Sequence, residues 1–266
     1  MTTAIPREWA GTRLTVVMPT YNEAACLPGT AAALLALPLP GLRLLIVDDD
    51  SPDGTGRLAD ELAAADPRVS VLHRTAKEGL GRAYAAGIGA ALRDGPDYVA
   101  QMDADGSHRV EHLPELLGAA LATGAGLVVG SRYVPGGQLA ADWGARRRLL
   151  SACANLYATS VLGVPIRDLT AGYTLWSADA LEDLALDGLR SAGYSFQVET
   201  KFLAVRAGHK VVEVPIRFED RAHGTSKMDF ATQRESALLP PRLRWDHRGR
   251  RRAARPQVAL ASRADI

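Results

Sequence analysis

Short apolar runs alternate with helix-like segments through the first half of this chain, and this alternation limits the folds that are open to it. The apolar runs are rich in Val, Leu and Ile and stand at residues 14–20, 42–51, 69–74, 97–105 and 126–133. The segments between and after them have helical composition and stand at residues 23–37, 56–66, 81–94 and 110–124. Continuous apolar strands that alternate with helices indicate a parallel sheet with both faces covered. We therefore predict an α/β fold with a Rossmann-like, mostly parallel sheet and helices on both faces.

Acidic residues gather where the second and fourth of these strands end. The second strand runs into Asp48, Asp49 and Asp50, and the fourth runs into Asp103 and Asp105. Open parallel sheets bind ligands at the carboxyl ends of their strands, near the point where the strand order reverses. We therefore expect these acids on one rim of the sheet, next to a bound ligand.

The spacing of Asp103 and Asp105 favours a metal site. Residues two apart on a strand point to the same face, so the two carboxylates would repel each other unless a cation lies between them. Mg²⁺ and Mn²⁺ take oxygen ligands and are commonly held by one or two carboxylates plus substrate phosphates. We predict a divalent metal, Mg²⁺ or Mn²⁺, whose coordination a nucleotide diphosphate would complete. A lone Asp-x-Asp has a simpler interpretation, in which one aspartate caps the next helix and the other is solvated.

Other ligand classes are disfavoured. The glycine-rich turn at residues 79–81 is similar to a dinucleotide fingerprint, but Tyr84 occupies the third glycine position and the turn follows the third strand, not the first. The sequence contains no P-loop motif. Cys26 and Cys153 lie too far apart in sequence for a metal-ligand or redox spacing, so we expect a reducing, cytoplasmic setting.

Three stretches bear on membranes and secretion. The N-terminus lacks the apolar segment of a signal peptide. Residues 149–166 carry no charge, but their continuous helical part is short for a hydrocarbon core of about 30 Å, so we expect a buried or interfacial helix. From Pro241 to Pro256 there are seven arginines and one acid, Asp246. Such a block predicts a solvated, disordered tail, and the alternative is a patch for anionic lipid or nucleic acid.

Seven motifs together support a family resemblance. They read, in chain order, VVMPTYNE, LIVDDDSPDGT, QMDADGSH, GSRYVPGG, DLTAGY, GYSFQVE and VPIRFEDRAHGTSK. Over residues 12–230 the chain resembles the family 2, GT-A-fold glycosyltransferases, and most closely the polyprenyl-phosphate (dolichyl-phosphate) mannose synthases. The first three motifs are shared by many family 2 transferases and imply a nucleotide-sugar donor. GYSFQVE and DRAHGTSK are narrower and imply sugar transfer to a polyprenyl phosphate, with mannose favoured over glucose.

On the donor side, the resemblance implies a pocket for the nucleotide sugar and a metal site. The residues that would line the nucleotide are Pro19, Tyr21, Glu23, Val47, Asp49 and Ala104. The residues that would bind the metal are Asp103, Asp105 and Ser107, and the two carboxylates would also contact the donor. Arg221 and Lys227 would close over the donor diphosphate from a mobile loop.

On the acceptor side, the resemblance implies that Arg132, Arg147 and Ser151 bind the acceptor phosphate. Trp143, Arg147 and Ser151 are spaced four apart, so Arg147 and Ser151 would share one helix face. A guanidinium can hold a phosphate oxygen through paired hydrogen bonds. Asp105, Arg132 and Arg147 are the implied catalytic residues. Alone, the run Arg146–Arg148 has a simpler interpretation as a solvated charge cluster.

The implied protein is one GT-A catalytic domain over residues 12–235 with an arginine-rich tail over residues 236–266. It would transfer mannose from GDP-mannose to a polyprenyl phosphate with inversion, peripherally at the cytoplasmic face of a membrane, with a membrane-anchoring protein as a further partner. Nucleic acid is not expected. Two alternatives stay open: a family 2 transferase that makes polyprenyl-phosphate glucose or another sugar lipid, and a non-catalytic binding protein. The chain departs from the family pattern at Asp50, Leu169 and Thr174.

Overall fold

The computed structural model describes residue 9, residues 11–191, residue 193, and residues 195–220, 230–248 and 258–260. The first half of the chain forms β1 (Leu14–Thr20), α1 (Leu27–Leu35), β2 (Leu42–Asp48), α2 (Thr55–Ala65), β3 (Val69–His73), α3 (Leu80–Arg93), β4 (Tyr98–Gln101), α4 (Leu113–Thr123) and β5 (Leu127–Ser131). The second half forms α5 (Ala145–Leu162), β6 (Thr174–Ser177), α6 (Ala178–Glu182), α7 (Phe196–Ala207), β7 (Val211–Pro215), α8 (Phe230–Asp246) and β8 (Val258–Leu260).

The described strands form one sheet in the order β3-β2-β1-β4-β6-β5-β7-β8. All neighbouring pairs are parallel except those of β6, which runs antiparallel to both β4 and β5. The predicted α/β class with a mostly parallel sheet is therefore confirmed. Periodicity did not reveal β6, because four residues are too few to separate a strand from a loop.

The strand order reverses at β1, which lies between β2 and β4. Pro19 is level with Val47 on one side of β1, and Val17 is level with Gln101 on the other. The loops that leave β1, β2 and β4 therefore emerge together at one rim of the sheet. This is the switch point where open α/β sheets bind ligands.

Two hydrophobic cores flank the sheet, so helices cover both of its faces as predicted. Along β1, Val16 and Met18 point into one core and Val17 points into the other. The first core is closed mainly by α1 and α4, and the second by α3, α5, α7 and α8. Helix α3 packs very closely, since a Cβ added at Gly87 would lie 2.5 Å from Val17 Cγ1 and 2.7 Å from Val47 Cγ2. The core requires glycine at this position.

Three of the predicted boundaries need correction. The fourth strand, expected over residues 97–105, ends at Gln101, so Asp103 and Asp105 lie in the loop after it and not on the strand. The strand expected over residues 42–51 ends at Asp48, because Asp50 adopts a left-handed conformation with φ of 57°. Asn and Gly adopt that conformation most readily, and Asp tolerates it, so the departure at Asp50 fits its backbone. The disorder expected from residue 236 is wrong for α8, which crosses that boundary and buries Leu239 and Leu243.

The uncharged stretch at residues 149–166 belongs to helix α5. Gly163 ends this helix in the left-handed conformation, with φ of 64°. One side of α5 buries Asn155, Ala158 and Leu162, while Leu149 and other apolar residues stay exposed. Among the residues that the structure describes, none of the helices combines the length and the apolar character that a bilayer crossing requires.

Candidate active site

The loop after β4 carries Asp103 and Asp105 at the switch point. Asp103 Oδ1 accepts a hydrogen bond of 2.8 Å from the hydroxyl of Tyr84 on α3. The backbone N–H of Asp103 donates to Nδ1 of His108 over 3.0 Å, and the His108 ring stacks on Tyr173. Thr30 on α1 donates to the carbonyl of the intervening Ala104 over 3.0 Å. The loop is thus fixed from both faces of the sheet.

Asp105 is buried and is the more tightly held of the two carboxylates. Its Oδ1 accepts from the backbone N–H of Ser107 over 3.0 Å and from the Ser107 hydroxyl over 2.6 Å. This short turn needs Gly106 between them, because φ is 80° there. The Ser107 hydroxyl oxygen keeps lone pairs while it donates to Asp105.

The oxygen groups of this loop fit the predicted divalent metal. In the described part of the chain, no three His, Cys, Asp or Glu side chains come together as a ready metal cage. A hard cation such as Mg²⁺ or Mn²⁺ needs no such cage, since it is usually held by one or two carboxylates and completes its coordination with water and substrate phosphates. Asp103 and Asp105 would supply those carboxylates, and Ser107 would supply a hydroxyl beside Asp105.

The loops after β1 and β2 build the rest of this rim. Asp48 accepts from the Thr20 hydroxyl over 3.0 Å and from the Ser51 hydroxyl over 2.6 Å, and Ser51 in turn accepts from the backbone N–H of Asn22. Asn22 is left-handed, with φ of 57°, so the chain turns sharply after β1. The sequence motifs here, PTYNE and DDDSPDGT, encode two loops that brace each other.

Three of the predicted donor residues stand at the lip of this rim. Pro19 is the penultimate residue of β1 and is partly exposed. Tyr21 follows, and the ammonium of Lys77 lies 4.0 Å from the centre of its ring. Glu23 is fixed through its backbone N–H, which donates to the Thr55 hydroxyl over 3.0 Å. Their positions agree with the predicted nucleotide pocket, which remains a prediction.

Val47 and Asp49 have surroundings that the sequence did not indicate. The Val47 side chain is fully buried against α3, so only its main chain could reach a ligand. Asp49 is buried and accepts a hydrogen bond from Nη1 of Arg74, which follows β3. Burial raises the pKa of Asp49, while Arg74 opposes that rise. Arg221 and Lys227, the expected diphosphate ligands, lie outside the described residues.

Arg132, expected to bind the acceptor phosphate, makes a buried ion pair within the protein. Its Nε and Nη2 each donate to the Asp168 carboxylate over 2.8 Å, and Nη2 also donates to Thr170. The backbone N–H of Arg132 donates to the same carboxylate. Burial disfavours both charges, yet the attraction between them outweighs it, lowering the pKa of Asp168 and raising that of Arg132. In this arrangement Arg132 orders the loop at residues 167–171.

That loop, which contains the first four residues of the motif DLTAGY, is held from three further elements. Glu213 on β7 accepts the backbone N–H groups of Arg167 and Asp168 over 2.8 and 2.9 Å. Asn155 on α5 accepts from the N–H of Leu169 over 2.9 Å. Lys201 on α7 donates to the carbonyl of Ala171 over 2.6 Å and is completely buried. Burial lowers the pKa of Lys201 to about 7.

Arg147 lies at the start of α5, more exposed than Arg132. Its guanidinium sits 4.0 Å from the centre of the Trp143 ring, and Nη1 donates to the Asp220 carboxylate over 3.1 Å. Ser151, one turn further, shares a hydrogen bond of 2.7 Å with the Tyr133 hydroxyl. The predicted spacing therefore places Arg147 and Ser151 on successive turns of one helix, with Arg147 partly open to solvent.

The segment after β7 joins the loop that follows β4 to helix α5, a link that the motifs did not reveal. Phe218 forms a bridge with His108, its ring edge faces Trp143, and the Arg132 guanidinium lies 5.4 Å from its centre. The N–H of Glu219 donates to the carbonyl of Ser107 over 3.1 Å. Phe218 belongs to the motif VPIRFEDRAHGTSK, and this membership was the one feature of the sequence that could have indicated its role.

Two curated proteins are similar to this chain over most of its length. The family described as Glycosyl transferase family 2 matches residues 15–185. Polyprenol monophosphomannose synthase from Mycolicibacterium smegmatis is 48% identical over 247 residues, covering 92% of this chain and 91% of that protein. Undecaprenyl-phosphate mannosyltransferase from Micrococcus luteus is 45% identical over 238 residues, covering 88% of this chain and 96% of that protein.

Solved structures share the fold at lower identity. Glucosyl-3-phosphoglycerate synthase from Mycobacterium tuberculosis, in complex with Mn²⁺, UDP-glucose and phosphoglyceric acid, aligns with a TM-score of 0.62 and 22% identity, covering 88% of this chain and 80% of that one. A mannosyltransferase from Pyrobaculum calidifontis, in complex with GDP-Man and Mn²⁺, aligns with a TM-score of 0.58 and 17% identity, covering 90% and 65%. At these identities the likeness supports a GT-A-like fold.

Proposed function

The chain belongs to glycosyl transferase family 2, and on that premise we propose that it transfers mannose from GDP-mannose to a polyprenyl phosphate, giving polyprenyl-phosphate β-mannose. The observation that carries this proposal is the pair of relatives, one named as a synthase of polyprenol monophosphomannose and the other as an undecaprenyl-phosphate mannosyltransferase. The identity of the donor, GDP-mannose, is a separate part of the proposal. It draws support from the fold neighbour whose complex contains GDP-Man together with Mn²⁺.

The donor side is built to meet a negatively charged leaving group. Asp103 and Asp105 would hold the divalent metal, Mg²⁺ or Mn²⁺, which when bound supplies positive charge to the departing diphosphate. Tyr84, Ser107 and the His108 ring keep these aspartates in place, so little reorganisation is needed when charge develops. Arg221 and Lys227 are proposed as further diphosphate ligands from the sequence resemblance.

The acceptor side needs a cation that can exchange partners. The acceptor phosphate is ionised near neutral pH, so its oxygen can attack the sugar without a strong general base. Arg147 is the better placed of the two proposed arginines, because its ion pair with Asp220 is partly exposed and a phosphate could replace that carboxylate. Arg132 contributes by ordering the loop at residues 167–171 through Asp168. Attack on the face opposite the leaving group would invert the sugar from α to β.

A donor panel tests the proposed reaction. Purified protein would receive a polyprenyl phosphate in detergent, a divalent metal, and radiolabelled GDP-mannose, GDP-glucose or UDP-glucose, followed by organic extraction. We expect label in the lipid phase from GDP-mannose alone, and none after chelation of the metal. Lipid label from UDP-glucose alone would replace mannose by glucose and keep the fold and the metal site. No lipid label from any donor would refute transfer to a polyprenyl phosphate.

The metal assignment is tested by Asp105→Asn. The amide keeps an oxygen that can accept from Ser107, so the loop should stay folded while the charge is lost. We expect a fall in turnover of roughly 100-fold or more, since metal stabilisation of a leaving group is worth several kcal/mol. Asp94→Asn, at an exposed aspartate after α3, is the control and should retain activity. Equal turnover in the two variants would refute the assignment.

We also propose a peripheral position at the cytoplasmic face of a membrane, since the acceptor is a lipid. A membrane-anchoring protein partner remains part of this proposal. The activity of the purified chain on acceptor in vesicles shows whether the chain reaches the membrane by itself or needs an anchoring partner. Transfer by the chain alone would make the partner unnecessary.

A further inference from the structure

The segment that follows β7, residues 216–220, links the two sides of the candidate site, and we call it the connector. Toward the loop after β4, the N–H of Glu219 donates to the carbonyl of Ser107 over 3.1 Å. Toward α5, the Asp220 carboxylate accepts a hydrogen bond of 3.1 Å from Nη1 of Arg147. A residue that fixes the connector therefore fixes the partner of Arg147 relative to the loop after β4.

The connector forms hydrogen bonds along both of its edges. On one edge, the N–H groups of Ile216 and Phe218 donate to backbone carbonyls. On the opposite edge, the N–H of Glu219 donates to a carbonyl in the same way, but the N–H of Arg217 donates over 3.0 Å to Nε2 of His112. The ring of a histidine thus takes the place that a carbonyl of a neighbouring strand would fill.

Two hydrogen bonds define the state of the His112 ring. His112 ends a single 3₁₀ turn, Val110–His112, that leads into α4, and its side chain is 17% exposed. Its Nδ1 lies 2.7 Å from a carboxylate oxygen of Glu115. Because Nε2 accepts from the connector, the ring proton must be on Nδ1, where it can be donated to Glu115. The contacts therefore require a neutral imidazole in one tautomer.

Protonation of this ring would remove an acceptor that the connector uses. Both nitrogens of an imidazolium are donors, so Nε2 could no longer accept from Arg217, and two N–H groups would face each other. The ion pair between His112 and Glu115 would persist, so the ring would stay on α4 while the connector loses its contact. Histidine is the side chain that ordinarily changes charge between pH 5 and 8.

The charged groups near His112 in the described part of the chain come from its own turn, from α4 and from the connector. Arg109 pairs with Glu111 and with Glu219, and Arg217 also pairs with Glu219. These two arginines and two glutamates balance one another, which leaves Glu115 as the charge that faces the ring. Helix α1, which packs against the same turn, contains no charged residue.

We propose that His112 is a positioning residue, whose neutral imidazole fastens the connector beside the loop after β4 and whose protonation releases that edge. The inference rests on the proposed function for its consequence, since the connector carries Asp220, the partner of Arg147. Release would loosen the donor side and the acceptor side together. Turnover would then depend on the charge of a residue that contacts neither substrate.

Hydrogen–deuterium exchange of the Arg217 amide tests the contact without any substrate. His112→Gln offers a neutral acceptor at every pH, and His112→Leu offers none. After correction for the intrinsic effect of pH on exchange, protection of this amide in the wild type should fall at least ~5-fold between about pH 7.5 and about pH 5.5, the factor that one lost hydrogen bond gives. His112→Gln should stay protected at both pH values, and His112→Leu should show the lower protection at both.

His73→Gln is the matched control, because His73 also pairs with a carboxylate, that of Asp60, but lies at the end of β3. It should exchange at Arg217 like the wild type. Equal wild-type protection at both pH values would overturn the proposal, and so would full protection in His112→Leu. Nitrogen NMR shifts of the wild-type His112 ring give a test that needs no variant, since a proton on Nε2 at about pH 7.5 would also overturn it.

Turnover measurements separate this inference from the proposed function. The ratio of wild-type to His112→Gln turnover should be near 1 at about pH 7.5 and should fall severalfold at about pH 5.5. Other titrating groups, such as His108 and the acceptor phosphate, act on both proteins alike and leave the ratio unchanged. A ratio that is independent of pH would refute the positioning role. If no acceptor is mannosylated while Arg217 exchange follows the charge of His112, the proposed reaction is refuted and the His112 contact is supported.

Discussion

The buried pair between Arg132 and Asp168 allows the most decisive test of the structural reasoning. We predict that Asp168→Asn strongly destabilises the protein, although the side chain keeps its size. Asp168 is fully buried and accepts three hydrogen bonds from Arg132, one from the backbone and two from the guanidinium. Asparagine would leave the guanidinium buried beside a neutral amide, and its NH₂ group would face the donors.

The magnitude follows from the burial of both partners. Removing one member of a buried ion pair costs about 3–5 kcal/mol, because the other charge stays desolvated. For a domain of this size, each kcal/mol lowers the melting temperature by roughly 2–4 °C, so we expect a fall of about 10 °C. Because the pKa of Asp168 is lowered in the folded state, its stabilising effect is present above its unfolded pKa and is lost as the pH falls through the folded value.

Urea unfolding and thermal melts of wild type and variants measure this effect. Asp97→Asn is the matched control, since Asp97 also accepts a backbone N–H and a guanidinium, both from Arg13. That pair is exposed on both sides, so water and salt screen it and we expect a much smaller change. Equal destabilisation by Asp168→Asn and Asp97→Asn would refute the argument that burial makes the Arg132 pair important.

Three further predictions follow from single contacts. Gly87→Ala should lower the free energy of unfolding by about 1–3 kcal/mol, because the new Cβ would overlap Val17 and Val47. Gly89→Ala, on the same helix, places its Cβ against no atom and should raise the free energy of unfolding by up to about 1 kcal/mol. Urea unfolding measures both changes, and changes of the same sign would contradict the packing of α3. Burial lowers the pKa of Lys201 from 10.5 to about 7, so between pH 7 and 10.5 the unfolded chain binds more protons than the folded one and the free energy of unfolding should rise with pH. Lys201→Met should flatten this rise in melts measured across that pH range. An unchanged slope would argue against the burial of Lys201. Arg147→Ala should raise the KM for a water-soluble prenyl phosphate at least ~10-fold, because a charge-assisted hydrogen bond to the phosphate is lost. Arg146→Ala is the control and should leave this KM unchanged. Equal KM values for the two variants would remove Arg147 from the acceptor site.

Local pattern was sufficient for the architecture of the first half of the chain. Apolar runs separated by helical segments predicted β1 to β5, and the helices between them, because a parallel sheet buries whole strands and needs a helix at each crossover. The same pattern placed the acidic loops at the carboxyl ends of the strands. Short elements such as β6 and β8 escaped, since three or four residues carry too little periodicity.

The candidate site was predicted in part. Asp105 and Ser107 contact each other, because both belong to one short turn, whereas a metal site formed by Asp103, Asp105 and Ser107 stays a prediction. Tyr84 had been noted only as a departure from a dinucleotide motif, yet its hydroxyl holds Asp103. No rule of spacing relates two residues that meet only because α3 packs against the sheet.

The sequence alone determined the fold class, the family resemblance and the order of the acidic loops, since these depend on residue type and on spacing along the chain. Only the tertiary structure decided what each charge meets. Arg132 pairs with Asp168 across 36 residues, and α8 packs as an ordered helix where composition predicted disorder. Composition averages over a segment, whereas burial of Leu239 and Leu243 against α5 and α7 depends on surfaces that exist only after the chain has folded.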